Sequence, residues 1–225
     1  MKYIVGIDEV GRGPLAGPVT VGMVVCEAEF YKKLKCDKNL PPAGKDSKKL
    51  SPAQRQKYAK ILKSLAEVSG VTFAMNSKMV RVTLDTEKFS YAVTHISNRE
   101  IDRGGISKCI KKAIAIGFEK LKIRNLLKIV NCELKILLDG GLHAPAKFKN
   151  QKTIIKGDEK EKIIAWASIL AKVSRDELMR RAGKKFSQYG FEIHKGYGTT
   201  RHRAAISAHG LSPLHRKSFC KNLTH

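Results

Sequence analysis

The sequence predicts an α/β protein: a mixed β-sheet flanked by helices, with a small helical or irregular C-terminal portion from about residue 186. Three observations predict it. Short β-branched apolar runs alternate with longer stretches of helical periodicity, in the order β-β-α-β-β-β-α-β-β-α. Of the 225 residues, 42% are apolar, enough to bury a core. No run of about 18 apolar residues occurs, so no membrane-spanning helix is expected. The length suits one domain, 1–225, with about 186–225 as its C-terminal portion.

Each element has its own warrant. Lys2–Ile7 and Val19–Cys26 are apolar runs of strand length, separated by the turn-rich Gly11-Arg12-Gly13-Pro14 and Gly17-Pro18. Residues 35–50 are polar and carry Pro and Gly, as a loop would. Ser51-Pro52 then starts a helix, with Ser51 as N-cap, Pro52 at the first helical position and Gln54 closing a capping box. Tyr58, Ile61, Leu62 and Leu65 form its apolar stripe, and Gly70 is a plausible stop. Val71–Met75, Val80–Leu84 and Phe89–Ile96 alternate in the manner of antiparallel strands. Ile106–Arg124 is a basic amphipathic helix with Ile110, Ala113, Ile114 and Phe118 inward. Leu134–Leu138 and Thr153–Lys156 are further strands, and residues 159–182 a long helix.

Charge narrows the function. With 44 Lys and Arg against 20 Asp and Glu, the net charge is +24. Such an excess concentrates polyanions, and nucleic acid is the leading partner. A membrane surface would need the basic residues gathered on one amphipathic helix, whereas here they are spread along the chain. Asp8 and Glu9 interrupt what a secretory signal would keep apolar. Five cysteines without a CxxC pair disfavour a disulfide framework or a zinc site, and fit a reducing cytoplasm.

Within so basic a chain, three acidic sites stand directly after apolar runs: Asp8-Glu9, Asp139 and Asp158. If those strands are neighbours, their carboxylates crowd, and crowded carboxylates repel unless a cation neutralises them. Hard oxygen ligands suit Mg²⁺ or Mn²⁺. Two such ions can serve phosphodiester hydrolysis. Taken singly, each acid is more readily an ordinary turn residue, but the adjacent Asp8-Glu9 inside an apolar stretch is harder to read that way.

GIDEVGRGPLAGPV (6–19) resembles the N-terminal signature of type 2 ribonucleases H, specifically the ribonuclease HII family. Further blocks follow in family order: DSKKLS (46–51), REID (99–102), LLDGG (137–141), KGD (156–158), IIAWASILAKVSRD (163–176), HKGYGTTRH (194–202) and GLSPLHRKSF (210–219). Together they cover nearly the whole chain.

The resemblance implies a ribonuclease H-like fold and a four-carboxylate site, Asp8, Glu9, Asp139 and Asp158, holding two Mg²⁺ or Mn²⁺ ions. One ion would activate water and the other would stabilise the departing 3′ oxygen. Products would carry 3′-hydroxyl and 5′-phosphate ends. Substrates would be RNA–DNA hybrids and duplex DNA holding single ribonucleotides, cut on the 5′ side, as in ribonucleotide excision repair. Gly11, Arg12 and Gly13 would read the ribose at an RNA–DNA junction, since glycines admit the sugar closely and backbone groups can bond the 2′-OH. Tyr197 would pack on the following deoxyribose. Ser47, Lys48 and Lys49 would contact phosphate. Lys172 and Arg175 are either phosphate contacts or, for Arg175 with Asp176, a structural pair. His194, His202 and His215 fall in family-like blocks, where a lone histidine is more often structural; Arg201 and His202 are also candidates for the nucleic acid backbone.

Two departures stand out. Trp166 replaces a small residue at the start of the Ala-rich helix, and residues 71–97 exceed the family pattern by about one hairpin. Arg12 and Pro14 differ from the sister type, ribonuclease HIII, whose extra N-terminal domain is not expected ahead of Asp8. The rivals are a non-catalytic nucleic-acid-binding protein of the same fold, a junction resolvase, and an interaction protein basic for solubility. A monomer is expected.

Overall fold

A computed structural model describes residues 2–42, 50–68, 88–121 and 133–223. Five strands form one sheet: β1 (Lys2–Val10), β2 (Val19–Glu27), β3 (Phe89–Ile96), β4 (Glu133–Asp139) and β5 (Gln151–Ile154), in the order β3-β2-β1-β4-β5. β1 pairs antiparallel with β2, and β2 with β3. β1 also pairs in parallel with β4, and β4 with β5. The mixed sheet is therefore as expected, and the parallel half brings the C-terminal ends of β1 and β4 side by side.

Alternation along the strands builds two cores. Val5, Ile7, Val21, Met23, Ile136 and Leu138 share one core with α4 (Ile106–Lys120), which packs on β2 and β3 and buries Ile110, Ala113, Ile114 and Phe118 as its periodicity predicted. Val24, Cys26 and Leu137 face the other way. There they meet α6 (Lys162–Lys185), with α1 (Ala28–Lys35) and α2 (Pro52–Val68) alongside. α2 carries the expected capping box: Gln54 N–H donates to Ser51 Oγ (3.2 Å) and Ser51 N–H to Gln54 Oε1 (2.9 Å).

α6 lies directly on the sheet because glycines let it. A Cβ on Gly6 would strike the Ile163 carbonyl, and one on Gly22 the Ala167 carbonyl. This close contact fixes α6 across β1 and β2, and so over the strand end that carries Asp8.

Several boundaries differ from expectation. β1 runs on to Val10, through the acids, because β2 keeps pairing with it as far as Thr20. The helix expected over 159–182 is two helices, α5 (Gly157–Lys160) and α6, broken at Glu161, whose backbone is extended (φ −122°, ψ 116°). α1 and α3 (Asn98–Gly104) were not expected. The runs 71–75 and 80–84, the stop at Gly70, and Ser47, Lys48 and Lys49 lie outside the described residues.

Trp166 sits in the core beyond α6, its ring edge-on to Tyr31 at 5.6 Å and its Nε1–H donating to the Pro41 carbonyl (3.2 Å). The bulky ring is thus housed between α6 and the α1 segment. Beyond residue 186 come two short helices, α7 (Phe191–His194) and α8 (Thr200–His209), and turns. This portion is tied to the start of the chain: Gly17 N–H donates to the Leu214 carbonyl (2.9 Å) and Arg216 N–H to the Leu15 carbonyl (2.7 Å). No helix among the described residues is long and apolar enough to cross a membrane.

Candidate active site

Asp8 and Glu9 lie within the last residues of β1, and Asp139 closes β4, the parallel neighbour. One carboxylate oxygen from each lies within 4.8 Å of the others. Asp158 does not join that close set. It is buried in the first turn of α5, near enough for its charge to act on Asp8.

The cluster is braced from behind. Glu9 N–H donates to Asp8 Oδ1 (2.7 Å), and Gly157 N–H donates to Asp139 Oδ1 (2.5 Å). A Cβ on Gly157 would stand 2.7 Å from Ile164 Cδ1, which would have to swing aside, and 3.3 Å from Asp139 Oδ1, so glycine eases that approach. Ser168, on α6, hydrogen-bonds Asp8. Arg12 pairs with Glu9 at 3.2 Å.

These contacts do not balance the charge. Burial pushes the Asp8 carboxyl well above its ordinary range, the Ser168 bond opposes this, and the charges of Glu9, Asp139 and Asp158 raise it further. Burial raises Glu9 as well, against the pull of Arg12. Oxygen donors crowded this closely, short of positive charge among the described residues and open on the Glu9 and Asp139 side, fit a hard divalent cation.

The Gly11–Gly13 loop adjoins the cluster in sequence; buried Arg216 holds it and buried Arg175 holds the segment that follows. Arg216 donates through Nε to the Gly17 carbonyl (3.0 Å) and through its terminal nitrogens to Arg12 (2.9 Å) and Gly11 (2.6 Å). Arg175 donates to the carbonyls of Pro18 (2.9 Å), Lys195 (3.0 Å) and Ala16 (3.2 Å). Carbonyls, not carboxylates, satisfy both guanidiniums, and burial with the Arg175 charge pushes Arg216 down to about 10. Arg175 is therefore a structural clasp rather than a phosphate contact, and it does not pair with Asp176. Asp176 instead accepts from Lys172 Nζ (2.7 Å).

Gly11 and Gly13 differ. Gly11 has φ +88°, and a side chain there would collide with Arg175. Gly13 has open space where its Cβ would stand and needs no left-handed backbone. Tyr197 is 42% exposed, its ring centre 5.9 Å from Arg175 Cζ and 6.0 Å from Lys172 Nζ. The loop and Tyr197 are thus joined through one guanidinium. His202, a candidate for the nucleic acid backbone, is instead fully buried, stacked on His194 at 4.3 Å.

Sequence reasoning missed Ser168, Gly157 and the role of Arg216. Gly157 alone left a signal, as the glycine directly before an acid at a strand end. A serine inside a helix and an arginine in a basic chain are unmarked.

A sequence profile of the ribonuclease HII family matches residues 5–222. The ribonuclease HII of Bacillus anthracis is 38% identical over 219 residues, covering 97% of this chain and 69% of that protein. That of Bacillus thuringiensis is 37% identical over the same shares. Among solved structures, ribonuclease H2 from Pyrococcus horikoshii aligns with a TM-score of 0.66 and 22% identity, covering 98% of this chain and 96% of that one. The ribonuclease HII of Archaeoglobus fulgidus, solved in complex with PCNA, aligns at 0.67 and 23%, covering 100% and 97%. Such identities speak for the fold. The profile match and the Bacillus relatives carry more, and by them the chain belongs to the ribonuclease HII family and is an endonuclease of the ribonuclease H kind.

Proposed function

We propose that this protein hydrolyses the RNA strand of RNA–DNA hybrids and cuts duplex DNA on the 5′ side of single embedded ribonucleotides, leaving 3′-hydroxyl and 5′-phosphate ends. The observation that carries the reading is the convergence of Asp8, Glu9 and Asp139 at adjacent parallel strand ends, with Asp158 near enough for its charge to act on Asp8. Asp8, Glu9, Asp139 and Asp158 would hold Mg²⁺ or Mn²⁺, which supplies activation of water and stabilisation of the departing 3′ oxygen.

The chain's own residues do the rest. Gly157 and Ser168 hold the carboxylates of Asp139 and Asp8 in place. Arg175 and Arg216 fix the carbonyls around Gly11–Gly13, so the loop meets substrate preorganised. Gly13, which neither packing nor backbone explains, leaves room for a sugar, and backbone groups there can read its 2′-OH. Tyr197 offers an exposed ring to the next sugar, where a deoxyribose fits and an added hydroxyl crowds. Arg12, half-committed to Glu9, is available to phosphate. Ser47 and Lys48 are assigned to phosphate on the family pattern alone. The +24 charge draws the duplex in. Ribonucleotide excision in a cytoplasmic setting, by a monomer, fits this chemistry.

The test is cleavage of a labelled duplex with one ribonucleotide, in Mg²⁺, Mn²⁺ or EDTA, beside an all-DNA duplex. The expected result is a cut 5′ of the ribonucleotide with either metal, none in EDTA, and an intact control. Equal cutting of both duplexes would make this a general nuclease. No cutting by folded protein would leave a binding protein of the same fold. Tyr197→Ala should lower cleavage at the lone ribonucleotide more than cleavage of a long hybrid.

A further inference from the structure

Three histidines outside the carboxylate site are buried together: His194 in α7, His202 in α8 and His215 in the turn that follows. Backbone groups fix their protons. Ser212 N–H, which can only donate, points at His215 Nδ1 (2.8 Å). That nitrogen is therefore bare, and a neutral His215 carries its proton on Nε2. His215 Nε2 lies 3.0 Å from His202 Nε2, so it donates there. His202 must then carry its proton on Nδ1, which lies 2.9 Å from the Tyr197 carbonyl, a pure acceptor. A second proton on either ring would set two N–H groups against each other. The geometry admits one protonation pattern along Ser212, His215, His202 and Tyr197.

The chain of bonds ends where the backbone is strained. Lys195 (φ +54°) and Gly196 (φ +85°) turn in the left-handed region directly before Tyr197. Gly196 N–H donates to His194 Nδ1 (3.2 Å), and the Gly196 carbonyl accepts from Leu15 N–H (2.8 Å), in the segment after the Gly11–Gly13 loop. Tyr197 N–H donates to the His194 carbonyl (3.0 Å). The histidines thus hold both sides of the Tyr197 peptide while its ring projects outward.

We propose that His202 and His215 are positioning residues: a pair of neutral imidazoles with fixed tautomers that sets the Tyr197 ring, and through it the preference for a lone ribonucleotide over a continuous hybrid. The preference half rests on the sugar-packing assignment of Tyr197 above; the positioning half does not. Burial lowers the proton affinity of both rings, in keeping with a neutral pair.

The first arm of the test is two-bond ¹H–¹⁵N correlation spectra of the histidine side chains in the full-length protein at neutral pH. The expected signature is Nδ1–H for His202 and Nε2–H for His215. The opposite tautomer of either, or a doubly protonated ring, overturns the proposal. In the second arm, His202→Leu removes the donor to Tyr197, and His202→Asn keeps an amide donor near the same place. With Mg²⁺, the ratio of kcat/KM for a single-ribonucleotide duplex to that for a uniform hybrid should fall about tenfold in His202→Leu, the effect of losing one hydrogen bond of ordinary strength. It should return to within about threefold in His202→Asn. An unchanged ratio in folded His202→Leu, or equal losses in both variants, overturns the proposal. Tyr197→Ala is assayed in parallel. If it leaves the ratio unchanged, the sugar-packing assignment fails by itself, and the Tyr197 carbonyl ¹³C shift decides positioning: it should move in His202→Leu and stay in His202→Asn. Should His202→Leu not fold, the tautomers and the carbonyl shift in His202→Asn decide in its place.

Discussion

Asp8 is the residue most at odds with its surroundings. Burial opposes its charge, and three neighbouring carboxylates add repulsion. Its folded pKa lies above the unfolded one, so its charged form weakens the fold as pH rises through that value. Asp8→Asn keeps an oxygen for Glu9 N–H and for Ser168 and removes the charge. In EDTA at pH 7 the variant should gain on the order of 1 kcal/mol, or about 2–4 °C in Tm. Cleavage should fall more than about a hundredfold. A lower Tm would mean that the carboxylate is better paired than its neighbours indicate. At this scale the sequence was legible where chemistry left a mark in one dimension. Asp8, Glu9 and Asp139 stand out because acids directly after apolar runs are rare in a basic chain. Arg175 and Arg216 were not legible, because the carbonyls they bind lie far away in sequence. Lysines and arginines abound here, and only the fold shows which are buried. His202 was misplaced for the same reason: a histidine in a basic, Gly-rich stretch looks exposed until the aromatic cluster around it is seen.

Elements depend on close approaches that periodicity does not show. α6 rests on β1 and β2 where Gly6 and Gly22 leave no side chain between backbone and backbone. Gly22→Ala forces a methyl onto the Ala167 carbonyl, which belongs to a helix that cannot yield locally. The expected cost is about 3 kcal/mol, at the upper end for overpacking. Urea unfolding should show a lower midpoint with an unchanged slope. Because Gly22 pairs with Asp8 across the β1–β2 ladder, activity should fall as well. A loss below about 0.5 kcal/mol would show that α6 shifts freely over the sheet. The elements themselves were legible in proportion to their local signals. The Ser51–Gln54 box and the stripe of the Ile106 helix sufficed for α2 and α4. α3 carries a full capping box, Ser97 with Glu100, and was overlooked because the helix behind it is so short. The break at Glu161 has no sequence signal. Helical periodicity continues through it, while α5, before the break, carries the Gly157 N–H that donates to Asp139.

For the whole molecule, an excess of +24 leaves few acids to shelter histidines. His95, on β3, spans Thr20 Oγ1 (2.8 Å) and Ser174 Oγ (3.0 Å), and so ties β2 to α6. Burial, then Lys120 and Arg175, hold its pKa down at about 4. Burial and His202 hold His215 down at about 4 as well. Both rings bind a proton more readily when unfolded, so the fold loses stability as pH falls from about 6.5 towards 4. Each ring contributes at most on the order of 3 kcal/mol across that window. Asp8 and Glu9 act in the opposite sense, since their raised pKa values make protonation favour the fold. The histidine effect is therefore read most cleanly with Asp8→Asn as the parent. In that parent the urea midpoint should fall steadily below pH 6.5 and level off near pH 4. Adding His95→Gln, whose amide can still meet Thr20 or Ser174 but does not titrate, should flatten the profile in part, since His194, His202 and His215 still titrate. If the parent profile is flat and His95→Gln follows it, these imidazoles take up protons as readily folded as unfolded, and the basic surface is then better screened than the burial of His95 and His215 implies.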